Sequence, residues 1–305
     1  MLTVLKSIIS LFLIMLVGVV GRKRNIITPD INKGMIEILL RILLPFMIVS
    51  SFAFSYDDQI KTNVVKAFYF SFIAYLIIIG ISLLLTRPIR DEKRTILHFA
   101  NVFTNTGYIG FPILNSIYGP EAVIYGSIFN MFFVLFLWTY GIMIFKGKME
   151  KEEFRRGLIK ALLNPSVIAV YVGLTMMIFN INLPAVLLSS ISSIGNMTGP
   201  FSMLIVGAML SGVKIKDYLK DWTIYYGIFT KMILIPAILV IISVLIEERT
   251  IVSNSIIILA AMPSAAMTPI FAQTFNLMKE YATMIMVITT LLSVVTVPIL
   301  LRIVI

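Results

Sequence analysis

Long apolar runs constrain this sequence more than any other feature. Ten runs, each of about 20 residues or more, contain few charges and are separated by short polar breaks. A helix needs roughly 20 apolar residues to cross about 30 Å of hydrocarbon, where the backbone must satisfy its own hydrogen bonds. The runs lie at approximately 2–21, 34–55, 64–86, 95–117, 120–145, 158–180, 186–212, 222–246, 252–275 and 279–302.

Composition supports a membrane protein and excludes several other classes. Of the 305 residues, 59% are hydrophobic and 13% charged, whereas soluble domains are nearer half apolar and a quarter charged. We therefore predict an all-α polytopic membrane protein with ten transmembrane helices in the lipid bilayer. The chain has no cysteine and a single histidine, which disfavours thiolate or multi-histidine metal sites. No glycine-rich phosphate loop precedes a Lys-Ser or Lys-Thr pair, so we expect no cofactor and no ATP-driven pump.

The net charge of +10 is explained by membrane topology rather than by a nucleic-acid partner. Loops after the odd-numbered runs contain 18 Lys and Arg residues, whereas loops after the even-numbered runs contain three, Lys61, Lys66 and Arg249. Positive residues concentrate on the cytoplasmic side, so we predict a plasma-membrane protein with both termini extracellular. The first run ends in Arg22, Lys23 and Arg24, which is typical of an uncleaved first span.

Ten spans divide into two halves of five. An odd number of spans in each half forces the halves into opposite orientations, which is the condition for an inverted repeat. Weak internal symmetry agrees, because Pro45 and Pro200 are 155 residues apart and Pro112 and Pro269 are 157 apart. The predicted division is 1–145 for the first five-helix repeat, 146–157 for a cytoplasmic linker and 158–305 for the second repeat.

The fourth run contains the sequence Asn-Thr-Gly-Tyr-Ile-Gly-Phe-Pro at 105–112. Pro112 cannot donate a hydrogen bond to the carbonyl of Tyr108, and Gly107 and Gly110 add backbone freedom. The pattern predicts a helix broken at mid-membrane, although a simple proline kink is the alternative. A broken helix exposes a partly positive N–H end that suits an anion and a partly negative carbonyl end that suits a cation.

The ninth run contains a second candidate interruption, Met-Pro-Ser-Ala-Ala-Met-Thr-Pro at 262–269. Its two prolines are predicted to free the carbonyls of Leu259 and Ala265, and the small residues between them permit close backbone approach. Interrupted spans at corresponding positions of two repeats are the best sequence indication of a transporter site.

The distribution of charge favours an anionic substrate. Of the fifteen acidic residues only Glu37 lies clearly inside a predicted span, whereas a cation carrier usually needs a central carboxylate. Lys231, within the eighth span, could add positive potential, or it could pair with backbone carbonyls or snorkel. His98 could relay protons, or it could be an interfacial histidine. Candidate buried amides, expected to form interhelical hydrogen bonds, are Asn101, Asn130, Asn196 and Gln273.

The motif at 105–112, followed by Pro-Ile-Phe-Ala-Gln-Thr-Phe at 269–275, resembles the auxin efflux carrier family, which includes plant auxin exporters and bacterial malate or malonate permeases. The resemblance implies that broken helices 4 and 9 cross and hold a carboxylate, with Asn105 as a direct ligand. It also implies that spans 3–5 and 8–10 form a bundle that moves against the remaining spans. The chain departs from the plant members in its short midpoint loop and in having Gln273-Thr274 where they often carry a Lys-Glu pair.

These observations together predict a secondary active transporter, not an enzyme, that moves a small organic carboxylate by alternating access. A malate-like dicarboxylate and an auxin-like monocarboxylate both stay open, as do H⁺ or Na⁺ coupling and uniport. An ion or solute channel or a membrane receptor is the alternative, and the broad apolar surface is compatible with a homodimer. The predicted substrate-binding residues are Asn105, Thr106, Gly107, Tyr108, Gly110, Pro112, Pro263, Ser264, Thr268, Pro269 and Gln273, with Lys231 and His98 as electrostatic or proton-coupling residues.

Overall fold

The structure is a computed structural model that describes residues 2–53, 58–211 and 220–304. Within these residues the chain is helical, with one isolated antiparallel bridge and no extended strand. Helices satisfy their own backbone hydrogen bonds, as a chain this apolar requires in hydrocarbon. In chain order the helices are α1 Leu2–Lys23, α2 Pro29–Ile38, α3 Leu44–Ser51, α4 Asp58–Leu85, α5 Asp91–Val102, α6 Phe111–Tyr118, α7 Pro120–Phe136, α8 Ile142–Lys146, α9 Lys151–Leu162, α10 Pro165–Ile178, α11 Ala185–Asn196, α12 Thr198–Leu210, α13 Trp222–Phe229, α14 Ile235–Leu245, α15 Ile251–Ala260, α16 Met267–Thr274 and α17 Lys279–Val304.

The ten apolar runs all fall largely on helices, but they are built differently. Among the described residues, six helical stretches are long and apolar enough to cross a membrane, and α9 with α10, bent by 56°, makes a seventh. The runs 95–117 and 252–275 are each divided between shorter helices. An all-helical, multi-pass membrane protein is therefore confirmed, whereas ten spans in a five-plus-five repeat stay a prediction. The six stretches are Pro29–Ser51, Asp58–Leu85, Pro120–Lys146, Ala185–Leu210, Trp222–Leu245 and Lys279–Val304.

Several of the mid-span prolines follow π-helical segments. A proline lacks an N–H group and its ring clashes with the carbonyl four residues earlier. The wider π turn, with bonds from i to i+5, relieves that conflict. Each proline then occupies the first turn of the next helix, where its N–H is not required. The segments Leu39–Leu43, Thr106–Gly110 and Thr230–Leu234 precede Pro45, Pro112 and Pro236, each by two residues.

Residue contacts divide the chain into two compact units, and each unit draws on both halves of the sequence. The units are therefore not the two predicted repeats, and the division at 146–157 stays a prediction. The first unit comprises Met1–Tyr69, Gly107–Met131 and Leu162–Gly212, and the second comprises Phe70–Thr106, Phe132–Ala161 and Val213–Ile305.

Glycines allow the helices of the first unit to approach closely. Gly18 of α1 and Gly207 of α12 lie where a Cβ atom would overlap backbone atoms of the facing helix. Gly195 likewise brings α11 against the Met47 backbone of α3, whereas Gly173 of α10 faces the ring of Phe52 at the end of α3. Small residues at such contacts are typical of membrane proteins, because van der Waals packing rather than the hydrophobic effect holds helices together in lipid.

The second unit is built around α17, which contacts α5, α13, α15 and α16. Its apolar stretch is 56% buried, more than that of any other membrane-length helix in the described chain. Leu97 and Ile285 belong to the core between α5 and α17. The Phe99 ring lies with its centroid 4.5 Å from that of Phe103 and 4.9 Å from that of Phe271. These contacts hold α5 and α16 next to each other.

An ion pair joins the start of α5 to the start of α13. Lys93 Nζ lies 2.6 Å from Asp221 Oδ2, and Asp221 also accepts a hydrogen bond from the Thr223 backbone N–H as the cap of α13. Burial raises the pKa of the Asp221 carboxyl, but the hydrogen bonds from Lys93 and Thr223 outweigh it, so the pKa lies below its ordinary value. Two chain segments that precede membrane helices are thereby fixed to each other.

Replacing Gly207 with Ala should destabilise the protein by about 1–3 kcal/mol, because the new methyl group would overlap the Met15 backbone carbonyl rather than a flexible side chain. Thermal unfolding of the purified protein in detergent measures the effect. Gly80→Ala is the matched control, since nothing lies within 4 Å of its Cβ position. Equal melting temperatures for the two variants would contradict the backbone contact between α1 and α12.

Candidate functional site

The helix of the fourth run is interrupted directly before the asparagine of the motif. Helix α5 ends at Val102, and Phe103 adopts an extended conformation with φ −100° and ψ 116°. The chain becomes helical again only at the π segment Thr106–Gly110, which leads into α6. The Phe103 N–H still closes the last turn of α5 by donating to the Phe99 carbonyl at 2.9 Å, whereas the Phe103 carbonyl and the Asn105 N–H bond outside the helix.

The ninth run is interrupted between Ala260 and Met267. The Met262 N–H donates to the Leu259 carbonyl at 3.2 Å, and the Thr268 N–H donates to the Ala265 carbonyl at 2.9 Å. The prediction that Pro263 and Pro269 free the carbonyls of Leu259 and Ala265 is therefore wrong. Tight i to i+3 turns form beside each proline and supply the partners that the prolines cannot.

The two interruptions bond directly to each other through their backbones. The Asn105 N–H donates to the Pro263 carbonyl at 2.8 Å, and the Ala265 N–H donates to the Phe103 carbonyl at 3.0 Å. These bonds flank an antiparallel bridge between Thr104 and Ser264. A two-residue β-pair thus stands in the middle of an otherwise helical unit, and each interruption supplies the partners that the other lacks.

Small hydroxyl side chains surround this bridge. Ser264 Oγ lies 2.8 Å from Thr268 Oγ1, and the Ser264 N–H donates to Thr289 Oγ1 of α17 at 3.2 Å. All three residues are fully buried, as is Thr104. The Thr104 Oγ1 atom has no hydrogen-bond partner among the described residues. The bridge therefore presents several buried polar atoms close together.

The buried Lys231 reaches the same region from the π segment Thr230–Leu234, which follows α13. Lys231 Nζ donates to the Asn101 carbonyl at 3.0 Å and lies 3.5 Å from the Ala260 carbonyl. Thr230 Oγ1 lies 3.3 Å from Asn101 Oδ1. Lys231 thus contacts the ends of both α5 and α15, which fits the sequence-based option of pairing with backbone carbonyls rather than snorkelling.

His98 is held by hydrogen bonds on both ring nitrogens. Nδ1 lies 2.7 Å from Ser82 Oγ, and Nε2 lies 2.8 Å from the Tyr140 hydroxyl. The ring is buried, at 5% exposure. The three side chains connect α4, α5 and the segment Leu137–Gly141. A proton-relay role for His98 stays a prediction.

The first unit contains a cavity of about 480 Å³, whose wall includes Pro112. Its polar lining comes from Lys6 of α1, Asn115 and Ser116 of α6, and Asn196 of α11. No acidic side chain is among the described residues that line it. The volume lies within the range of about 300–1,000 Å³ that is typical of small-molecule pockets. This cavity can accept a small anion.

The structure does not gather all the predicted residues at the bridge. Asn105, Pro263, Ser264 and Thr268 belong to it through the bonds above, whereas Gln273 lies on the exposed side of α16. Thr106, Tyr108, Gly110 and Pro112 are buried in or next to the π segment, while Gly107 and Pro269 are half-buried.

The predicted buried amides fall into three groups. Asn130 donates to Ser166 Oγ at 3.2 Å, which is the expected interhelical bond. Asn101 is buried at the Lys231 contact, and its Nδ2 atom lacks a partner among the described residues. Asn196 is exposed at the cavity, so its predicted burial is wrong, because α11 packs against α3 through Gly195 and directs the next residue outward.

Sequence reasoning missed Thr104, Thr230 and Thr289. Thr104 directly precedes the motif, and Thr230 directly precedes Lys231, so proximity to a predicted residue would have found both. Thr289 lies in α17, far along the chain from both interruptions, and no sequence pattern distinguishes it from the other threonines of that helix.

Comparison with known proteins places the chain among transporters. A family model described as "Membrane transport protein" matches residues 3–301. The chain is also similar to an uncharacterized transporter of Methanocaldococcus jannaschii, at 26% identity over 297 residues, which cover 93% of each protein.

Replacing Thr289 with Val should destabilise the protein by about 1–3 kcal/mol, because the buried Ser264 N–H loses its acceptor without a change in side-chain shape. The melting temperature in detergent measures the loss. Thr296→Val is the matched control, since Thr296 is a half-buried threonine of the same helix whose hydroxyl donates to the Leu292 carbonyl. We expect the control to stay within about 0.5 kcal/mol of the unmodified protein. A Thr289→Val protein as stable as the control would show that the Ser264 bond is dispensable.

Proposed function

Because the chain belongs to the membrane transport protein family, the auxin efflux carrier-like family, we propose that it is a secondary active transporter of a small organic carboxylate. The observation that carries the proposal is the direct backbone bonding between the two helix interruptions at Thr104 and Ser264. Secondary carriers bind their substrates where discontinuous helices leave backbone groups available, and they work by alternating access. Two interruptions that meet are the arrangement such a site needs.

The composition of the interruptions supports an anionic substrate. The stretches 102–112 and 260–274 contain no Asp or Glu, and their polar groups are hydroxyls, amides and backbone N–H groups. Helix α16 begins at Met267 without a side-chain cap, so its partly positive end is not neutralised there. Lys231 lies nearby, with its ammonium donating to the Asn101 carbonyl. A carboxylate, malate-like or auxin-like, fits these donors better than a metal cation does.

Within this proposal the residues of the bridge have distinct roles. The Asn105 side chain is a direct ligand of the carboxylate, and the hydroxyls of Ser264 and Thr268 are further donors. The Pro263 carbonyl fixes the position of Asn105 through the 2.8 Å backbone bond. The other predicted residues shape the interruptions: Thr106, Gly107, Tyr108, Gly110, Pro112, Pro269 and Gln273.

In this proposal the cavity in the first unit is a mouth at which the anion collects. Lys6 gives it a positive charge, and Asn115, Ser116 and Asn196 provide polar contacts. A positively charged concave surface raises the local concentration of anions. The positive loops on the other side of the predicted topology imply that this mouth opens outside the cell, where both termini lie.

The proposed topology has ten spans in two inverted repeats, 1–145 and 158–305, in the plasma membrane. In this proposal the ten spans are the six helical stretches of membrane length, α1, the bent pair α9–α10 and the two interrupted runs. A homodimer is compatible with the apolar surface and stays a prediction.

Uptake of labelled malate and a panel of other small carboxylates into proteoliposomes tests the function. We expect saturable uptake of at least one panel member, and Asn105→Ala should lower kcat/KM by about tenfold or more, because a hydrogen bond to a charged group is lost. Asn130→Ala is the matched control: it removes the bond to Ser166, so it should lower the melting temperature without changing KM.

Three outcomes would contradict the proposal. If no carboxylate is taken up, the substrate class is wrong. If steady currents far exceed carrier turnover, the protein is a channel. If Asn105→Ala transports every panel member at the unmodified rate, the site is elsewhere.

Replacing Lys6 with Gln tests the cavity. We expect KM for the carboxylate to rise by about threefold at low salt, with kcat little changed, and the difference should shrink at high salt because screening removes the attraction. Lys61→Gln is the control, since Lys61 is exposed and lies 3.7 Å from Asp58. An unchanged KM for the Lys6 variant at low salt would exclude the cavity as the mouth.

A further inference from the structure

Lys231 is fully buried, and it is the one charged residue among the largest fully buried side chains of the described chain. It lies in the π segment Thr230–Leu234. No Asp or Glu of the described residues forms an ion pair with it. A buried ammonium is strongly unfavourable unless other groups compensate its charge. Backbone carbonyls provide the compensation here.

The two carbonyls that Lys231 contacts have both lost their α-helical donors at the interruptions. In a continuous helix the Asn101 carbonyl would accept the Asn105 N–H, but that N–H donates to the Pro263 carbonyl. Likewise the Ala260 carbonyl would accept the Ser264 N–H, but that N–H donates to Thr289 Oγ1. Lys231 Nζ, at 3.0 Å and 3.5 Å from the two oxygens, replaces both missing donors.

These carbonyls are also the negative ends of two helices. Asn101 lies in the last turn of α5, and Ala260 is the last residue of α15. Each helix end carries a partial negative charge of about half an elementary charge, so two ends together balance one ammonium. Thr230, next to Lys231 in the π segment, contacts the side chain of the same Asn101. The widened turn thus directs two consecutive residues towards one junction.

In many secondary carriers unwound carbonyls and the C-terminal ends of half-helices coordinate the coupling Na⁺. We propose that the Lys231 ammonium of this protein occupies such a position permanently, as a tethered cation that replaces a coupling Na⁺. The inference rests on the proposed carrier function for its consequence in transport, since a carrier built this way moves its carboxylate without Na⁺. Its structural part, a monovalent-cation position at the junction of α5 and α15, does not depend on transport.

Truncating the side chain should convert the tethered cation into an exchangeable one. Lys231→Ala removes the ammonium and leaves the carbonyls of Asn101 and Ala260 facing the vacated space. We expect malate uptake into proteoliposomes by the unmodified protein to be equal in sodium and choline chloride. Uptake by Lys231→Ala should fall by about tenfold or more in choline and recover in methylammonium or sodium chloride. A Na⁺ requirement of the unmodified protein, or full activity of Lys231→Ala in choline, would overturn the proposal.

A measurement on purified protein separates this inference from the proposed function. The melting temperature of Lys231→Ala in detergent should rise with the concentration of methylammonium or Na⁺ relative to choline, because a cation that binds only the folded state stabilises it. The melting temperatures of the unmodified protein and of the control Lys66→Ala should not change with the concentration of either cation. A cation-dependent rise without carboxylate uptake would overturn the carrier function alone, whereas no rise would overturn the tethered cation.

Lys231→Met keeps the test decisive if Lys231→Ala does not fold. Methionine fills most of the same space without a charge or a donor, so we expect a lower melting temperature and lower uptake, neither of which cations restore. A Lys231→Met protein that matches the unmodified protein in both stability and uptake would show that the ammonium is not required at the junction.

Discussion

In lipid, every backbone carbonyl and N–H group needs a partner within the protein, and the interruptions of the fourth and ninth runs violate this rule unless new partners replace the helical ones. In the second unit the two interruptions form backbone hydrogen bonds with each other. The Asn105 N–H bonds to the Pro263 carbonyl, and the Ala265 N–H bonds to the Phe103 carbonyl. Neither interruption could exist alone in the interior of this unit, because each would leave buried backbone groups unpaired.

The exchange leaves some backbone groups without their helical partners, and these groups explain the polar residues around the bridge. Diverting the Asn105 and Ser264 N–H groups leaves two carbonyls without their helical donors, and Lys231 supplies both. The Ser264 N–H needs an acceptor, and Thr289 supplies it. A lysine and a threonine in apolar helices are costly in themselves, so their presence follows from the interruptions. The Thr104 hydroxyl, at the centre of the proposed site, has no hydrogen-bond partner among the described residues.

Much of this arrangement could be predicted from sequence, and the errors have a common physical origin. Pro263 lies within the second interruption, where it cannot continue a helical ladder. The first interruption, at 103–105, ends seven residues before Pro112, which instead follows a π segment into α6. The positions of the prolines do not predict which backbone carbonyls lose their hydrogen-bond donors. The i to i+3 turns at Leu259 and Ala265 form locally, and they shift the unpaired carbonyl to Ala260. The identity of the compensating donor depends on tertiary placement, so a pattern within one helix does not reveal it.

Gln273 and Asn196 show the same limit for side chains. Both are amides in or near interrupted or packed helices, and composition alone favours their burial. Gln273 instead lies on the outward side of α16, because Phe271 packs against Phe99 and sets the orientation of that short helix. Asn196 follows Gly195, whose contact with Met47 directs the neighbouring residue outward. The side that a short helix buries is decided by its largest or smallest contact residue, not by its polar ones.

The two kinds of packing suit different tasks. Glycines such as Gly18 and Gly207 bring whole helices into backbone contact, and such contacts are lost only when a helix moves as a unit. The bridge at Thr104 and Ser264 depends instead on a few separate hydrogen bonds made by single N–H groups and hydroxyls. Isolated bonds can be exchanged one at a time, whereas helical bonds form and break cooperatively. The carboxylate that we propose as substrate can therefore compete for donors at the bridge while the helices on either side keep their own bonds.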